Sequence, residues 1–167
     1  MESILFPQKV LILVRHAHRD TSLGREKDNG LSKKGGKQAK LLQKYLKEIN
    51  FYDNKPVLIS SPSKRCVETL EPLARSLKTK IQPNLYLSEG GNLEEKANLF
   101  IQWWLEHAMP FTILCSHGDW IPVFLKITTG ATIELEKAGI VELHLIGRSV
   151  QLVWVLQKLM LIGHRII

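Results

Sequence analysis

The sequence predicts an α/β sandwich of three layers, with a mostly parallel central sheet flanked by helices and a C-terminal antiparallel hairpin at its edge. Three observations carry this. Short apolar runs rich in β-branched residues alternate with longer segments of helical periodicity, the pattern of crossover connections. The runs are apolar throughout, as in strands covered on both faces. Near the end, two further strand-like runs flank Gly147-Arg148-Ser149, a hairpin signature. With 167 residues, 44% of them hydrophobic and 23% charged, the chain is expected to form a single domain over residues 1–167 with a substantial core.

Residues 9–14 (KVLILV) form the first expected strand. Ser32 can cap a helix whose apolar stripe is Ala39, Leu41, Leu42, Tyr45, Leu46 and Ile49. Residues 56–59 read as a second buried strand, followed by a helix from about Ser63. Pro72 falls inside that helix and predicts a kink or a late restart, because proline lacks an N–H and crowds the preceding turn. Residues 80–82 suit a short strand. Asn92 and Glu95 give a capping-box-like start to a helix that runs to about His107. Residues 111–115 form a third apolar strand, one more helix follows, and 140–145 with 150–156 make the hairpin. There is no internal repeat, low-complexity tract or long linker.

Basic residues outnumber acidic ones by 23 to 16, a formal charge of +7 that favours anionic partners: nucleic acid, phosphate esters or an acidic protein face. Lys33, Lys37, Lys40, Lys44 and Lys47 recur every three or four residues and read as the solvated face of a helix. Aromatic residues do not alternate with basic ones as on a single-strand-binding surface, so nucleic acid is not the expected partner. Cys66 and Cys115 are the two cysteines, too few for a disulfide framework, and a reducing compartment is expected. The N-terminus has no basic leader or small-residue cleavage site, and its apolar run is too short to span a bilayer. A cytoplasmic protein with no membrane partner is the expectation.

Each of three strands runs straight into a polar cluster: LILV into RHAHR, VLIS into SPSKR, and TILC into SHGD. In an open parallel sheet ligands bind outside the carboxyl ends of the strands. Arg15, His16, His18, Arg65, His117 and Asp119 are therefore expected at one edge. Guanidinium forks match phosphate oxygens, and the helix start near Ser63 would add backbone N–H donors, so the cluster suits a tetrahedral dianion. Neighbouring arginines disfavour a protonated imidazole, which leaves a histidine lone pair available for attack.

These residues carry a family resemblance. LVRHAHRD resembles the LxxxRHG signature of the histidine phosphatase (phosphoglycerate-mutase-like) superfamily, and DNGLSKKGGKQA resembles its LTxxGxxQA segment. SSPSKRCVETLEPLA is similar to SSxxxRAxQTA, and SHGD to the late xxHG motif. The four occur in the family's order and span nearly the whole chain. The short middle section is most similar to the small phosphohistidine phosphatase subgroup. The resemblance implies that His16 is the nucleophile that becomes phosphorylated, and that Arg15, Arg65 and His117 hold the phosphoryl group. Residues 22–30 would form a loop closing one side of the site. Ala17 replaces the family's usual glycine, and His18 stands where many members carry glutamate.

Some roles stay open. His18 is either a substrate contact or a polar strand end. Glu89 lies in a segment similar to the one that supplies the proton donor in larger members, whereas Asp119 is either that acid or a helix cap. Glu89 is the favoured donor. His107 suits a helix end and His144 a hairpin strand, and neither is assigned to the site. No arginine follows either cysteine six positions on, so a cysteine-phosphatase loop is absent and both cysteines read as packing residues. No phosphate-binding or dinucleotide glycine pattern occurs.

Two other readings compete with a covalent phosphatase. His16-x-His18 and His117-x-Asp119 have a spacing that can ligate a metal, but a dication would sit poorly beside Arg15 and Arg65. A non-catalytic module could bind phosphorylated partners in the same pocket. The expected function is a phosphatase that needs no metal or nucleotide cofactor and acts on phosphohistidine proteins or, alternatively, on small phosphate esters.

Overall fold

The computed structural model describes residues 7–49, 55–107, 110–162 and 165–166. Strand β1 (Lys9–Arg15) is followed by helix α1 (Lys33–Glu48), β2 (Val57–Ser60), α2 (Lys64–Leu77) and the short β3 (Ile81–Pro83). Then come α3 (Leu93–His107), β4 (Phe111–Ser116), α4 (Trp120–Thr129) and the hairpin strands β5 (Ile140–Ile146) and β6 (Ser149–Leu156). A two-stranded ribbon pairs Leu161–Ile162 with Arg165–Ile166 and has no counterpart in the sequence reading.

The main sheet runs in the order β3-β2-β4-β1-β5-β6. The pairs β2–β3, β2–β4 and β1–β4 are parallel, while β5 turns antiparallel against β1 and β6 against β5. The expected α/β sandwich, with a mostly parallel sheet and a C-terminal antiparallel pair, is therefore what the chain forms. Period-two alternation along β1 explains why it is apolar throughout. Val10, Ile12 and Val14 meet Leu42 and Leu46 of α1 and Leu70 and Leu73 of α2 on one face. Leu11 and Leu13 meet Phe100 and Trp104 of α3 and Trp120 and Phe124 of α4 on the other.

Local signals behave as their chemistry requires. The Ser32 side chain accepts from Gly35 N at 3.1 Å at the start of α1, and Asn92 Oδ1 accepts from Glu95 N at 3.1 Å at the start of α3. Gly147, with φ +61°, opens the two-residue turn between β5 and β6. The restart expected at Pro72 does not occur, since α2 is continuous through it. Proline costs a helix interior about 3 kcal/mol. Leu70 and Leu73 beside it are fully buried, each worth about 1.5–3 kcal/mol, so core packing wins.

Register decides where the chemistry sits. Arg15 lies opposite Ser116, and Ser60 lies opposite Cys115. The residues that leave these three strands, His16, Ser61 and His117, emerge side by side at one edge.

Candidate active site

The end of β1 is held from both sides. His16 N donates to Ser116 O at 3.0 Å, and Arg15 N donates to Gly139 O at 3.0 Å. Ala17 N donates to Thr69 Oγ1 of α2 at 3.0 Å. The first turns of α1 then clasp His18. Ser32 N donates to His18 O at 3.0 Å, and His18 N donates to Gln38 Oε1 at 2.9 Å. A Cβ on Gly35 would stand 2.1 Å from His18 O, so only glycine lets the helix approach this closely. Ser32, Gly35 and Gln38 thus position the strand end.

His16 is buried, and its Nδ1 faces Ala17 O at 2.8 Å. A carbonyl only accepts, so Nδ1 carries the proton and Nε2 carries the lone pair. Burial and the Lys137 ammonium push the His16 pKa down to about 3, with smaller contributions from His117 and Arg65 and a partial offset from the Ala17 carbonyl. The imidazole is neutral and its lone pair is free of a proton at any ordinary pH. Lys137 Nζ lies 3.3 Å from that Nε2.

His117 stands across the site, its ring centroid 5.4 Å from that of His16 in an edge-on arrangement. Arg65 Nη2 donates to His117 Nδ1 at 3.2 Å, which leaves Nε2–H to donate to Ser61 Oγ at 2.8 Å. Arg65 is almost fully buried at the start of α2 and is held by Asp28 on Nη1 at 3.1 Å and by Glu89 on Nη2. Glu89 Oε2 also lies 3.4 Å from His117 Nδ1. Arg15 donates through Nη1 to Leu135 O at 2.5 Å, and its guanidinium packs over Gly118, where a Cβ would stand 2.5 Å from Cζ. The Nε atoms of Arg15 and Arg65 are buried donors without a partner among the described residues.

The structure therefore brings Arg15, His16, Arg65, His117 and Glu89 together. His18 sits at the exposed rim, its Nδ1 2.8 Å from Ser32 Oγ, and lines a cavity of about 360 Å³ with Arg15, Arg19, Thr21, Arg25 and Lys137. Asp119 is turned away to the start of α4, where its carboxylate accepts from Trp120 N at 2.8 Å and from Gly90 N at 2.9 Å. Cys66 is buried, but beyond packing its Sγ also lies 3.6 Å from His117 Nε2.

One expectation is corrected. The N–H groups at the start of α2 do not face an open pocket, because Asp28 accepts from Lys64 N at 2.5 Å and from Arg65 N at 3.4 Å. Burial works against the ionised Asp28, yet these bonds and the Arg65 guanidinium outweigh it and hold its carboxyl below the ordinary range. Asp28 belongs to the loop of residues 22–30, which does pack against the site.

Sequence reading also missed Lys137, Arg19 and Arg25. Both arginines lie in or next to that loop, so a signal existed. Lys137 comes from the connection before β5 and had none. Among the described residues, no group of three or more His, Cys, Asp or Glu side chains is arranged to hold a metal ion, and no helix is long and apolar enough to cross a membrane.

Comparison with known proteins places this geometry in context. Residues 11–109 match the histidine phosphatase superfamily (branch 1). No curated protein sequence matches the chain. Among solved structures, a phosphoserine phosphatase from Entamoeba histolytica superposes with a TM-score of 0.70 at 16% identity, covering 88% of this chain and 96% of that one. The protein histidine phosphatase SixA complexed with tungstate gives 0.70 at 18% identity, covering 89% and 96%. A mycobacterial glucosyl-3-phosphoglycerate phosphatase gives 0.69 at 16%, covering 87% and 98%. Likeness at such identities is a likeness of fold.

Proposed function

The chain belongs to the histidine phosphatase superfamily (branch 1), and from that premise we propose that it is a phosphatase in which His16 Nε2 carries the phosphoryl group between substrate and water. The observation that supports this most is the state of His16: Nδ1–H is committed to Ala17 O, and the opposite nitrogen faces the ammonium of Lys137, which lines a cationic cavity with Arg15, Arg19 and Arg25. In the first step Nε2 bonds to phosphorus while the bond to the leaving atom breaks, and that atom takes up a proton. In the second step water attacks the phosphohistidine, its proton passes to the acid's conjugate base, and the P–N bond breaks to return neutral His16 and phosphate.

Arg15, Arg65, His117 and Lys137 are the groups suited to the charge that builds on the equatorial oxygens, a stabilisation strongest in a dry, preorganised site. The unpartnered Nε donors of Arg15 and Arg65 support the same reading. A buried charged donor left unpaired costs free energy, which an oxyanion would offset. Glu89, beside Arg65 and His117, is the favoured proton donor. The arginines and Lys137 already supply the positive charge, so no metal is required.

The cavity is open to the rim at His18 and Thr21, and it admits a phosphate displayed on a protein, including phosphohistidine, as well as small phosphomonoesters. The test is His16→Ala together with trapping of the labelled enzyme. Turnover of an aryl phosphate should vanish, and the unsubstituted protein should carry an acid-labile, alkali-stable phosphoryl group. Turnover by the alanine variant above background would remove His16 from the role.

A further inference from the structure

Two cavities adjoin at Lys137. One is the cavity of about 360 Å³ lined by Arg15, His18, Arg19, Thr21, Arg25 and Lys137, and Lys137 joins it to His16. The other, about 340 Å³, is walled by Lys33, Lys34 and Lys37 from the start of α1, by Lys137, and by Lys158 beyond β6. Gln38 forms the partition, since its side chain accepts from His18 N at 2.9 Å and donates to Lys137 O at 3.4 Å. Among the described residues, no aspartate or glutamate lines either cavity.

The lysine face of α1 is thus not uniform. Lys44 and Lys47 face solvent away from both cavities, while the first members converge with lysines from two distant parts of the chain. Their position does not help the helix, because cations in a first turn oppose its dipole and that turn of α1 holds no acid. None of Lys33, Lys34, Lys37 and Lys158 makes an ion pair among the described residues. Lys33, Lys34, Lys37 and Lys158 gather four exposed ammonium-bearing side chains round one hollow whose floor also includes Leu41, Ala138 and Leu159, and an anion there relieves their mutual repulsion.

We propose that the lysine-rimmed cavity is a second anion-binding subsite, which takes a further phosphoryl or carboxylate group of the same substrate whose scissile phosphoryl group sits at His16, on the other side of Lys137. The substrate class is then the polyanion rather than the simple phosphomonoester. That the first group is a scissile phosphoryl rests on the phosphatase reading; the second subsite rests on the cavity itself. Lys137, shared by both walls, is the group through which the two anions would feel each other. Burial and the charges of Arg15, Arg65 and Arg19 lower its pKa to about 8, so neighbouring anions would secure its charge.

A second anion can come from a sugar bisphosphate or from acidic residues beside a phosphorylated side chain. The experiment therefore pairs fructose 1,6-bisphosphate with fructose 6-phosphate, and a phosphoserine peptide flanked by glutamates with one flanked by alanines. Binding is measured calorimetrically on the His16→Ala protein and kcat/KM on the unsubstituted one, each also in a Lys33→Gln/Lys37→Gln/Lys158→Gln background. These side chains are exposed, so the fold is not at stake.

Contacts to charged groups are worth enough that at least one pair should favour its more anionic member by about tenfold or more, falling to about threefold or less in the triple variant. The pair that discriminates identifies the source. Equal affinity within both pairs, or a preference that survives the triple variant, overturns the subsite. Binding discrimination without any hydrolysis would sink the phosphatase reading and leave the subsite standing. Hydrolysis without discrimination would do the reverse.

Discussion

The ammonium of Lys137 lies 3.3 Å from Nε2 of His16, the ring nitrogen whose lone pair would attack phosphorus. Ala138, with φ +62°, turns the chain so that its N–H meets Arg15 O at 3.1 Å, which sets Lys137 over the His16 ring. A non-glycine residue in this conformation is costly and persists only where its surroundings enforce it. The ammonium lies against the lone pair, and a phosphoryl oxygen would offer it a stronger partner.

This relationship sets the pH dependence. Lys137 faces Arg15 of β1, His16 and Arg19 beyond it, and Arg65 and Cys66 of α2; burial and the arginines bring its pKa down to about 8, against a small opposing effect of Cys66. Below that value the cation is present, and above it the cation is lost. His16, held down to about 3, titrates far below the working range. The kcat/KM for an aryl phosphate should therefore fall as pH rises through about 8. Lys137→Met should lose about 10²-fold at neutral pH together with that alkaline limb, and Lys137→Arg should keep the rate and move the limb upward. An unchanged limb in the methionine variant would assign it to another group.

Two glycines separate fold from chemistry. A Cβ at position 35 would meet the His18 backbone carbonyl at 2.1 Å, and backbone cannot move aside cheaply. Gly35→Ala should cost about 3 kcal/mol of stability, measured by denaturant unfolding. A Cβ at position 118 would meet the far end of the Arg15 side chain at 2.5 Å, which can swing away. Gly118→Ala should leave unfolding nearly unchanged while lowering kcat by about 10–10²-fold, because it displaces the guanidinium. The reverse pattern would contradict both accounts.

The order of strands and helices was legible because burial on two faces writes apolar runs, and because Ser32 and Asn92 mark helix starts by a local hydrogen bond. The convergence of Arg15, His16, Arg65 and His117 was legible too, since each directly follows an apolar strand or opens the next helix. Pro72 was read too strictly, as packing outweighed a local penalty. Asp28 and Lys137 could not be read. Both come from irregular connections, where side-chain direction follows from tertiary contacts such as those of Asp28 with the α2 N–H groups and of Ala138 with Arg15. Glu89 was reached only through the family resemblance.

Removal of metal gives a third check. Cations already face the site from Arg15, Arg65 and Lys137, so dialysis against a strong chelator should leave kcat/KM unchanged within error. A loss restored by zinc or manganese would revive a metal-assisted mechanism.

The proton donor can be tested with two conservative changes. Asp119 Oδ1 accepts from Trp120 N and Oδ2 from Gly90 N, so its carboxylate is spent on the start of α4 and on the Glu89 loop. Asparagine caps a helix about as well as aspartate, so Asp119→Asn removes the acid and keeps the cap on Trp120 N through its one oxygen, while its NH2 cannot accept from Gly90 N and that bond is lost. Glu89 is half exposed, pairs with Arg65 and lies 3.4 Å from His117 Nδ1, which puts it beside the reacting centre. General acid catalysis is worth about 10²–10⁴-fold for a poor leaving group and little for one that departs unaided. Glu89→Gln should therefore slow alkyl phosphates by about 10²-fold or more and nitrophenyl phosphate or phosphohistidine only slightly, while Asp119→Asn slows neither selectively. If the asparagine variant shows the leaving-group dependence and the glutamine variant does not, the roles are exchanged. If neither shows it, the enzyme works without a dedicated acid, and a phosphoramidate, whose nitrogen leaves readily, becomes the substrate its chemistry suits best.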